Sequence, residues 1–289
     1  MSYASDLESG EQFLRADSAT LAAALQISIP GARREIQSLL IHALGIDLAT
    51  LLAHPERVAE ARDTAAYSQT FARRLGGEPM AYVLGEREFY GLSFEVSPAV
   101  LIPRPETELL VEIALELLPV DGVGAVLDVG TGSGCIAVSV AKLRPAARVV
   151  ATDLSHAALG VAERNARLHR VSNVRFRAGS WFEPVGGERF DLIVSNPPYV
   201  AEFDPHLLEG DLRAEPSLAL VSGPDGLEGL REIISHASQQ LRPGATLLLE
   251  HGYNQAEAVA RMLTKAGFVD LIARTDLGGI GRVAGGRYP

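Results

Sequence analysis

Residues 126–138 read VLDVGTGSGCIAV, an apolar run that passes into closely spaced glycines and then into a second apolar run. This order predicts a strand, a tight turn and a helix, because glycine lets the backbone turn sharply and lets a ligand approach the main chain. A nucleotide-like cofactor is therefore expected at the carboxyl end of the strand. A flexible loop without a function is the alternative, but it does not account for strand, glycines and helix in this order.

The spacing of the glycines separates two classes of cofactor. A dinucleotide-binding turn has the pattern G-x-G-x-x-G/A, which, counted from Gly130, requires glycine or alanine where Cys135 stands. The pattern from Asp128 to Gly134 is instead D-x-G-x-G-x-G. It resembles the first motif of the class I methyltransferases, which hold S-adenosylmethionine (SAM) in this turn. The resemblance implies cofactor contacts at Gly130, Thr131, Gly132, Ser133 and Gly134.

Short apolar runs alternate with helical stretches from about residue 106 onward. Such alternation favours an α/β fold with a mostly parallel sheet and helices on both faces. The expected strands are 125–129, 148–152, 174–177, 192–195 and 246–250, and helices are expected at 157–168 and 226–241. Two further strands, near 269–274 and 281–288, have a short connection that suits an antiparallel pair. The resemblance of the glycine motif to class I methyltransferases implies that these elements form a Rossmann-like methyltransferase fold with a seven-stranded sheet.

The first 78 residues have apolar residues at helical spacing and no strand pattern. One helix is expected over 32–44, with Pro30 before it and Gly45 after it as start and stop signals. A second is expected from about Pro55 through Leu75, broken or bent near residues 62–64. We therefore expect a small all-α helical bundle at 1–78.

A connector is expected between the bundle and the α/β domain. Aromatic and β-branched residues around Gly91 indicate a short β-hairpin. Two prolines and a helix-start pattern follow at residues 101–108. The predicted organisation is a bundle at 1–78, a connector with the hairpin at 79–105 and a methyltransferase domain at 106–289.

Composition limits the classes of function. The 289-residue chain has one cysteine and so forms no internal disulfide, and its first ten residues carry two acids and no base, unlike a signal peptide. No apolar run reaches the roughly 18 residues of a membrane helix, so a cytoplasmic location is expected. The net charge of −10 argues against a substrate bound through many phosphates. The seven histidines lack metal-ligand spacing, so no metal is expected.

Two positions beyond the glycine turn complete the expected cofactor site. Asp153 ends the second strand about 20 residues beyond the glycines, where an acid can hydrogen-bond both ribose hydroxyls. A helix N-cap is the alternative for this residue, since a helix follows. Trp181, after the third strand, is placed to lie against adenine, and a core tryptophan is the alternative. Many methyltransferases have an acid before this aromatic residue, whereas this chain has Ser180.

The fourth strand ends in Asn196-Pro197-Pro198-Tyr199. Consecutive prolines stiffen the backbone and remove two N–H donors, so the turn presents mainly acceptors. The Asn196 side-chain oxygen and the Pro197 carbonyl can each accept one N–H of an –NH2 group, while Tyr199 stacks on the planar group that carries it. The nitrogen lone pair then faces the methyl donor, and positioning of this kind supplies about 7–11 kcal/mol. A turn that only ends a strand is the alternative, but the order of the two motifs argues against it.

Segments outside these motifs narrow the family. Residues 85–90 (GEREFY), 101–108 (LIPRPETE) and 249–252 (LEHG) resemble the release factor glutamine methyltransferase (PrmC/HemK) family, as do Glu215-Pro216 and the tail at 276–288. The resemblance runs from about residue 79 to the end. It implies transfer of a methyl group from SAM, with S-adenosylhomocysteine as product, to the glutamine side-chain nitrogen (N5) in the Gly-Gly-Gln motif of class I peptide chain release factors.

The same resemblance implies residue roles and partners. Asn196, Pro197, Pro198 and Tyr199 would hold the target glutamine, and Asn196 would also contact the cofactor. The helical bundle would help to bind the release factor, with no membrane and no direct nucleic-acid partner.

Two other functions are alternatives to the methylation of a release factor. A nucleic-acid methyltransferase that acts on an adenine or guanine amino group can use the same pocket, but it should show basic strips and usually a target-recognition domain. A binding module without activity should have lost the glycines or the asparagine, and all are present.

Overall fold

The computed structural model describes residues 9–56 and 60–289. Contacts divide the chain into two units, one that runs to Gly85 and includes Leu208–Ala214, and one made of Glu86–Leu207 and Glu215–Pro289. The predicted domain boundaries at residues 78 and 105 stay predictions. Within the two described ranges, no helix has both the length and the apolar character that a membrane crossing requires.

The first unit is helical, as expected. Leu21, Ile36 and Leu39 are fully buried in its core, and the hydroxyl of buried Tyr67 donates to Asp17 at 2.6 Å. The segment 208–214 is tied to these helices by Arg74, whose guanidinium contacts Asp211 at 3.0 Å. The helices are α1 (Gly10–Leu25), α2 (Ile29–Leu44), α3 (Leu48–Ala53), α4 (Ala61–Leu75) and α5 (Met80–Leu84).

Three helix boundaries differ from the expectation. Pro30 lies inside the first turn of α2, where its missing N–H costs nothing. The helix expected from Pro55 begins only at Ala61, because the carbonyl of Glu60 accepts the first helical bonds, and residues 62–64 continue it without a break. The polar stretch before residue 61 carries no apolar period that marks a start. The helix expected to end at residue 241 ends at Ala237, because Leu241 already belongs to a strand and pairs with Phe190.

The second unit opens with the predicted hairpin, in which residues 86–89 pair antiparallel with residues 92–95. A 3-10 turn at Pro105–Thr107 then leads into a helix that begins at Glu108. The elements are β1 (Glu86–Phe89), β2 (Leu92–Glu95), α6 (Glu108–Leu117), β3 (Ala125–Val129), α7 (Cys135–Leu143), β4 (Arg148–Asp153), α8 (His156–Leu168), β5 (Val174–Ala178), β6 (Phe190–Ser195), α9 (Glu228–Ala237), β7 (Leu241–Glu250), α10 (Ala256–Lys265), β8 (Val269–Thr275) and β9 (Gly281–Arg287).

The seven strands form one sheet in the order β5-β4-β3-β6-β7-β9-β8. The pairs from β5 to β7 are parallel, and β9 runs antiparallel to both β7 and β8. The mostly parallel sheet and the antiparallel final pair are thus confirmed. β4 and β5 lie on one side of β3, and β6 and β7 lie on the other, so the strand order reverses at β3. Open α/β sheets bind ligands in the crevice at such a point.

Helices cover both faces of the sheet, which explains the nearly continuous apolar strands. Successive residues alternate between the faces: Val126 and Leu192 belong to one buried cluster, and Leu127 and Ile193 to the other. Each such side chain contributes roughly 1.5–3 kcal/mol when fully buried. The strand ends that carry the motifs are therefore held on a rigid frame.

Candidate active site

A cavity of about 680 Å³ lies at the carboxyl ends of β3, β4 and β6. This volume falls in the range of roughly 300–1,000 Å³ that is usual for small-molecule sites. Most of the predicted site residues line it: Gly130, Thr131, Gly132, Ser133, Asp153, Trp181, Asn196 and Pro198. The described residues that line the cavity do not include Gly134, Pro197 or Tyr199.

The glycine turn joins β3 to α7 and is fastened to the end of β4. The N–H groups of Gly130 and Thr131 both donate to the Thr152 carbonyl at 2.9 Å. Gly130, Gly132 and Gly134 have φ of +74°, +57° and +81°, which other residues rarely adopt. Gly134 also packs against α8, since a Cβ at this position would lie 3.0 Å from the Cβ of Ala162.

Asp153 braces the turn with both carboxylate oxygens. Its Oδ2 accepts the Gly132 N–H and its Oδ1 accepts the Ser155 N–H, each at 2.8 Å. Burial raises the pKa of Asp153, and these backbone hydrogen bonds oppose that rise. Ser155 occupies the N-cap of α8 and accepts from Ala158, so the helix-cap alternative does not apply to Asp153.

Asp128 holds the glycine turn and the start of α7 through two hydrogen bonds. Its Oδ2 accepts the Thr131 hydroxyl at 2.6 Å and the Ala137 N–H at 3.2 Å. The side chain is fully buried, and burial raises the pKa of Asp128 to about 7. Asp128 is the first residue of the D-x-G-x-G-x-G motif, but the sequence pattern did not predict a role for its side chain.

Trp181 is half-buried. It lines the cavity and also packs against the core cluster on the α9 side of the sheet. Its carbonyl accepts the Thr152 hydroxyl at 3.0 Å, which holds the residue at a φ of +44°. The Ser180 N–H donates to the exposed carboxylate of Glu183 at 3.3 Å, so an acid does lie beside this turn.

The Asn-Pro-Pro-Tyr turn leaves the end of β6 next to β3. The Ser195 hydroxyl donates to the Val129 carbonyl at 2.6 Å and joins the two strand ends. The side-chain nitrogen of Asn196 donates to the Thr107 hydroxyl oxygen at 3.1 Å. The side-chain oxygen of Asn196 can accept a further hydrogen bond.

Tyr199 is anchored at both ends. Its hydroxyl donates to Glu250 Oε1 at 3.2 Å, and its carbonyl accepts the Gln255 side-chain amide at 3.0 Å. Burial, together with the neighbouring Glu250 carboxylate, raises the pKa of Tyr199. Burial likewise raises the pKa of Glu250 to about 7, opposed by hydrogen bonds from Thr107 and Tyr199. The sequence interpretation missed Thr107 and Glu250 as members of the site.

One buried acid fastens two segments of the cavity wall. The Glu215 carboxylate accepts the Ile102 N–H at 3.0 Å and a short hydrogen bond from the Arg104 guanidinium. Its side chain is completely buried, whereas that of Arg104 is 30% exposed. Arg104 and Pro216 both line the cavity, so Glu215 joins the segment that contains Ile102 and Arg104 to the segment that begins at Pro216.

Comparison with known proteins identifies the family. Residues 12–85 match the PrmC N-terminal domain, and residues 106–208 match the methyltransferase small domain. A release factor glutamine methyltransferase from Bordetella pertussis is 52% identical over 255 residues, which cover 88% of this chain and 94% of that protein. The chain belongs to the release factor glutamine methyltransferase family. Another member, from Xylella fastidiosa (strain Temecula1), is 49% identical over 257 residues, 89% of this chain and 94% of its own.

The fold of this methyltransferase also occurs in a solved structure. The T. thermophilus 16S rRNA N2 G1207 methyltransferase, in complex with AdoMet and guanosine, matches with a TM-score of 0.54 and 19% identity. The match covers 71% of this chain and 50% of that one. At this identity the likeness concerns the fold alone. The predicted family, fold class and enzymatic nature of the chain are confirmed.

Proposed function

We propose that this methyltransferase transfers the methyl group of SAM to the side-chain nitrogen (N5) of the glutamine in the Gly-Gly-Gln motif of class I peptide release factors. The observation that carries the proposal is Asn196. Its side-chain nitrogen donates to Thr107 and the residue lines the cavity, so its side-chain oxygen can accept a hydrogen bond from a ligand there. The glycine turn lines the same cavity, so the Asn196 oxygen, as an acceptor for an –NH2 group, lies beside the proposed cofactor site.

The residues of the turn fit SAM. Gly130 and Gly132 present backbone without side chains, and Asp153 keeps lone pairs for ribose hydroxyls beyond the two N–H groups it already binds. Trp181 offers an aromatic wall for adenine, and Thr131 and Ser133 complete the lining. Gly134 acts through packing against Ala162. Bound here, SAM supplies an electrophilic methyl group on a positively charged sulfur.

The catalytic turn fits a primary amide. Asn196 Oδ1 and the Pro197 carbonyl accept its two N–H bonds, Pro198 keeps the backbone rigid and Tyr199 flanks the amide plane. A new N–C bond forms as the S–C bond breaks, and the nitrogen then loses a proton to water. No side chain has to act as a strong base, because the nitrogen is acidic after it gains the methyl group.

The partners follow from this substrate. Class I release factors are the protein substrates, and the helical unit contributes to their binding. Translation termination takes place in the cytoplasm, which is the proposed location.

Peptide mapping by mass spectrometry tests the proposal. The protein is incubated with SAM and an unmodified release factor, and one added methyl group is expected on the Gly-Gly-Gln glutamine. SAM binding without any gain at that glutamine refutes the substrate, and DNA or RNA with exposed amino groups is then tested in the same assay.

Asn196→Ala tests the assigned chemistry. Loss of one positioning hydrogen bond from an oriented reactant is expected to lower turnover about 100-fold, while SAM still binds. Asn254→Ala removes an exposed asparagine and serves as the control with wild-type turnover. Unchanged turnover in Asn196→Ala refutes the role of this residue.

A further inference from the structure

Gln255 is a buried glutamine that the chemistry above does not use. It stands directly before α10, at the N-cap position, and has a relative exposure of 7%. Its side chain makes no cap hydrogen bond to this helix, although a serine, threonine, aspartate or asparagine would supply one. Glutamine is mostly found exposed, so the burial of this side chain requires another explanation.

The side-chain amide of Gln255 pairs with three backbone groups. Its Nε2 donates to the Tyr199 carbonyl at 3.0 Å and to the Gly226 carbonyl at 3.2 Å. Its Oε1 accepts the Gly252 N–H at 2.8 Å. A backbone carbonyl only accepts and a backbone N–H only donates, so these three partners determine which side of the amide is the nitrogen.

Only a primary amide satisfies all three partners. They require two N–H donors and one acceptor on a single planar group, which among side chains only asparagine and glutamine carry. An ionised carboxylate of the same shape offers no donor, and an apolar side chain offers neither kind of group. Because an unpaired buried polar group is costly, this one amide holds the three backbone segments together.

The three segments meet around Tyr199. A Cβ on Gly226 would lie 2.4 Å from the Tyr199 carbonyl oxygen, so only glycine permits this approach. A Cβ on Gly252 would lie 3.5 Å from Cδ2 of the Tyr199 ring, so Gly252 stands beside the ring. The hydroxyl at the far end of the ring donates to Glu250 at 3.2 Å. Tyr199 is therefore held at its carbonyl by Gln255 and at its hydroxyl by Glu250.

We propose that Gln255 is a positioning residue that sets the place of the Tyr199 ring beside the target amide. The described residues that line the cavity do not include Gln255, so it acts through the backbone of the Asn-Pro-Pro-Tyr turn. The proposal rests on the function proposed above, in which the Tyr199 ring flanks the plane of the glutamine amide. A ring held at both ends can orient that plane, and a displacement of about 1 Å can cost about 100-fold in rate.

Gln255→Met and Gln255→Glu remove different parts of this arrangement. Methionine is close in length but has no N–H donor, so the Tyr199 carbonyl loses its partner and kcat is expected to fall about tenfold. A carboxylate still accepts the Gly252 N–H but turns a second oxygen toward the Tyr199 and Gly226 carbonyls. At about pH 8, where the acid is ionised, this repulsion should displace Tyr199 and lower kcat about 100-fold.

Gln240→Met is the matched control. Gln240 is about as buried as Gln255, with 8% exposure, and it precedes the opposite end of β7 from Glu250. Its Oε1 has no hydrogen-bond partner among the described residues. Methionine at this position should therefore leave kcat and the Kd for SAM at the wild-type values.

Steady-state methylation of a release factor, with SAM affinity measured by calorimetry, separates positioning from a structural role. The losses are expected in kcat, with KM for the release factor and Kd for SAM within about twofold of wild type. Between about pH 8 and about pH 5.5 the activity of Gln255→Glu should rise relative to wild type, because burial favours the protonated acid, which regains one donor. Gln255→Met should show no such recovery.

Two kinetic results overturn the proposal. One is wild-type kcat in Gln255→Met, and the other is a constant ratio of Gln255→Glu to wild-type activity across this pH range. If Gln255→Met does not bind SAM, the pH profile of Gln255→Glu, which has the shape of the native side chain, decides alone.

A second measurement does not depend on the substrate. NMR of protein labelled with ring-13C tyrosine follows the Tyr199 ring, whose signal is the one missing in Tyr199→Phe. The signal should be unchanged in Gln240→Met, displaced or broadened in Gln255→Met, and restored in Gln255→Glu as the pH falls. If the wild type fails to methylate the release factor but these changes occur, the proposed function fails and the positioning of Tyr199 stands. An unchanged Tyr199 signal in both Gln255 variants overturns the positioning role.

Discussion

Replacing Gly134 by alanine tests how the glycine turn is built. The new Cβ would lie 3.0 Å from the Cβ and 3.2 Å from the Cα of Ala162, at a φ of +81°. The left-handed conformation costs an L-residue about 1–2 kcal/mol, and overpacking of a tight site adds typically about 1–3 kcal/mol. We therefore expect Gly134→Ala to lower the free energy of unfolding by about 2–5 kcal/mol.

Gly244→Ala is the matched control for that substitution. Gly244 has the same φ of +81°, but no described atom lies within 4 Å of its would-be Cβ. Only the conformational cost of about 1–2 kcal/mol should therefore appear. Urea unfolding followed by the fluorescence of Trp181, the single tryptophan, measures both variants. Calorimetric titration with SAM should show weaker binding only in Gly134→Ala. Equal losses of stability in the two variants would refute the claimed close packing against Ala162.

Three further predictions concern the acids of the site. Burial raises the pKa of Asp128 to about 7, so the folded protein holds a proton that the unfolded chain releases near pH 4. Stability should fall between pH 4 and 7 and then level off, and Asp128→Asn should remove up to about 4 kcal/mol of that fall in a pH series of urea unfolding. An equally steep fall in the variant would contradict this assignment. Asp153→Ala should weaken SAM binding about 10–100-fold by calorimetry, because hydrogen bonds to a charged group contribute about 1.5–3 kcal/mol each; an unchanged Kd would exclude a ribose contact. Glu215→Gln should cost about 2 kcal/mol of unfolding free energy, since it removes the charge that pairs with Arg104, and a variant as stable as wild type would show that the ion pair contributes nothing.

The parts of the fold that could be predicted are those that local sequence patterns determine. The strands that end at Val129, Asp153 and Ser195 are mostly apolar, and each ends at or directly before its motif. Because parallel strands end at one edge of the sheet, the order of the motifs along the chain was enough to bring them together. The start of α4 was not predictable, since the polar residues before Ala61 have no apolar period.

The site residues that the sequence did not reveal contact the motifs in the folded protein but lie far from them in the sequence. Thr107 lies 89 residues from Asn196, and Glu250 lies 51 residues from Tyr199. No periodicity connects residues at such separations. Their roles depend on which donor meets which acceptor inside the fold, and a motif does not encode this. The role of Glu215, which lies 113 residues from Ile102, was not predicted for the same reason.

The strand order has a consequence for synthesis on the ribosome. β8 is made before β9 but lies outside it, so β8 can enter the sheet only together with β9 or after it. While the ribosome adds α10 and β8, the β7 edge with Leu247 and Leu249 has no strand to cover it. An open apolar edge invites pairing with other chains. The nascent protein is therefore most exposed to aggregation during this interval, and an early interaction with a chaperone would be most effective there.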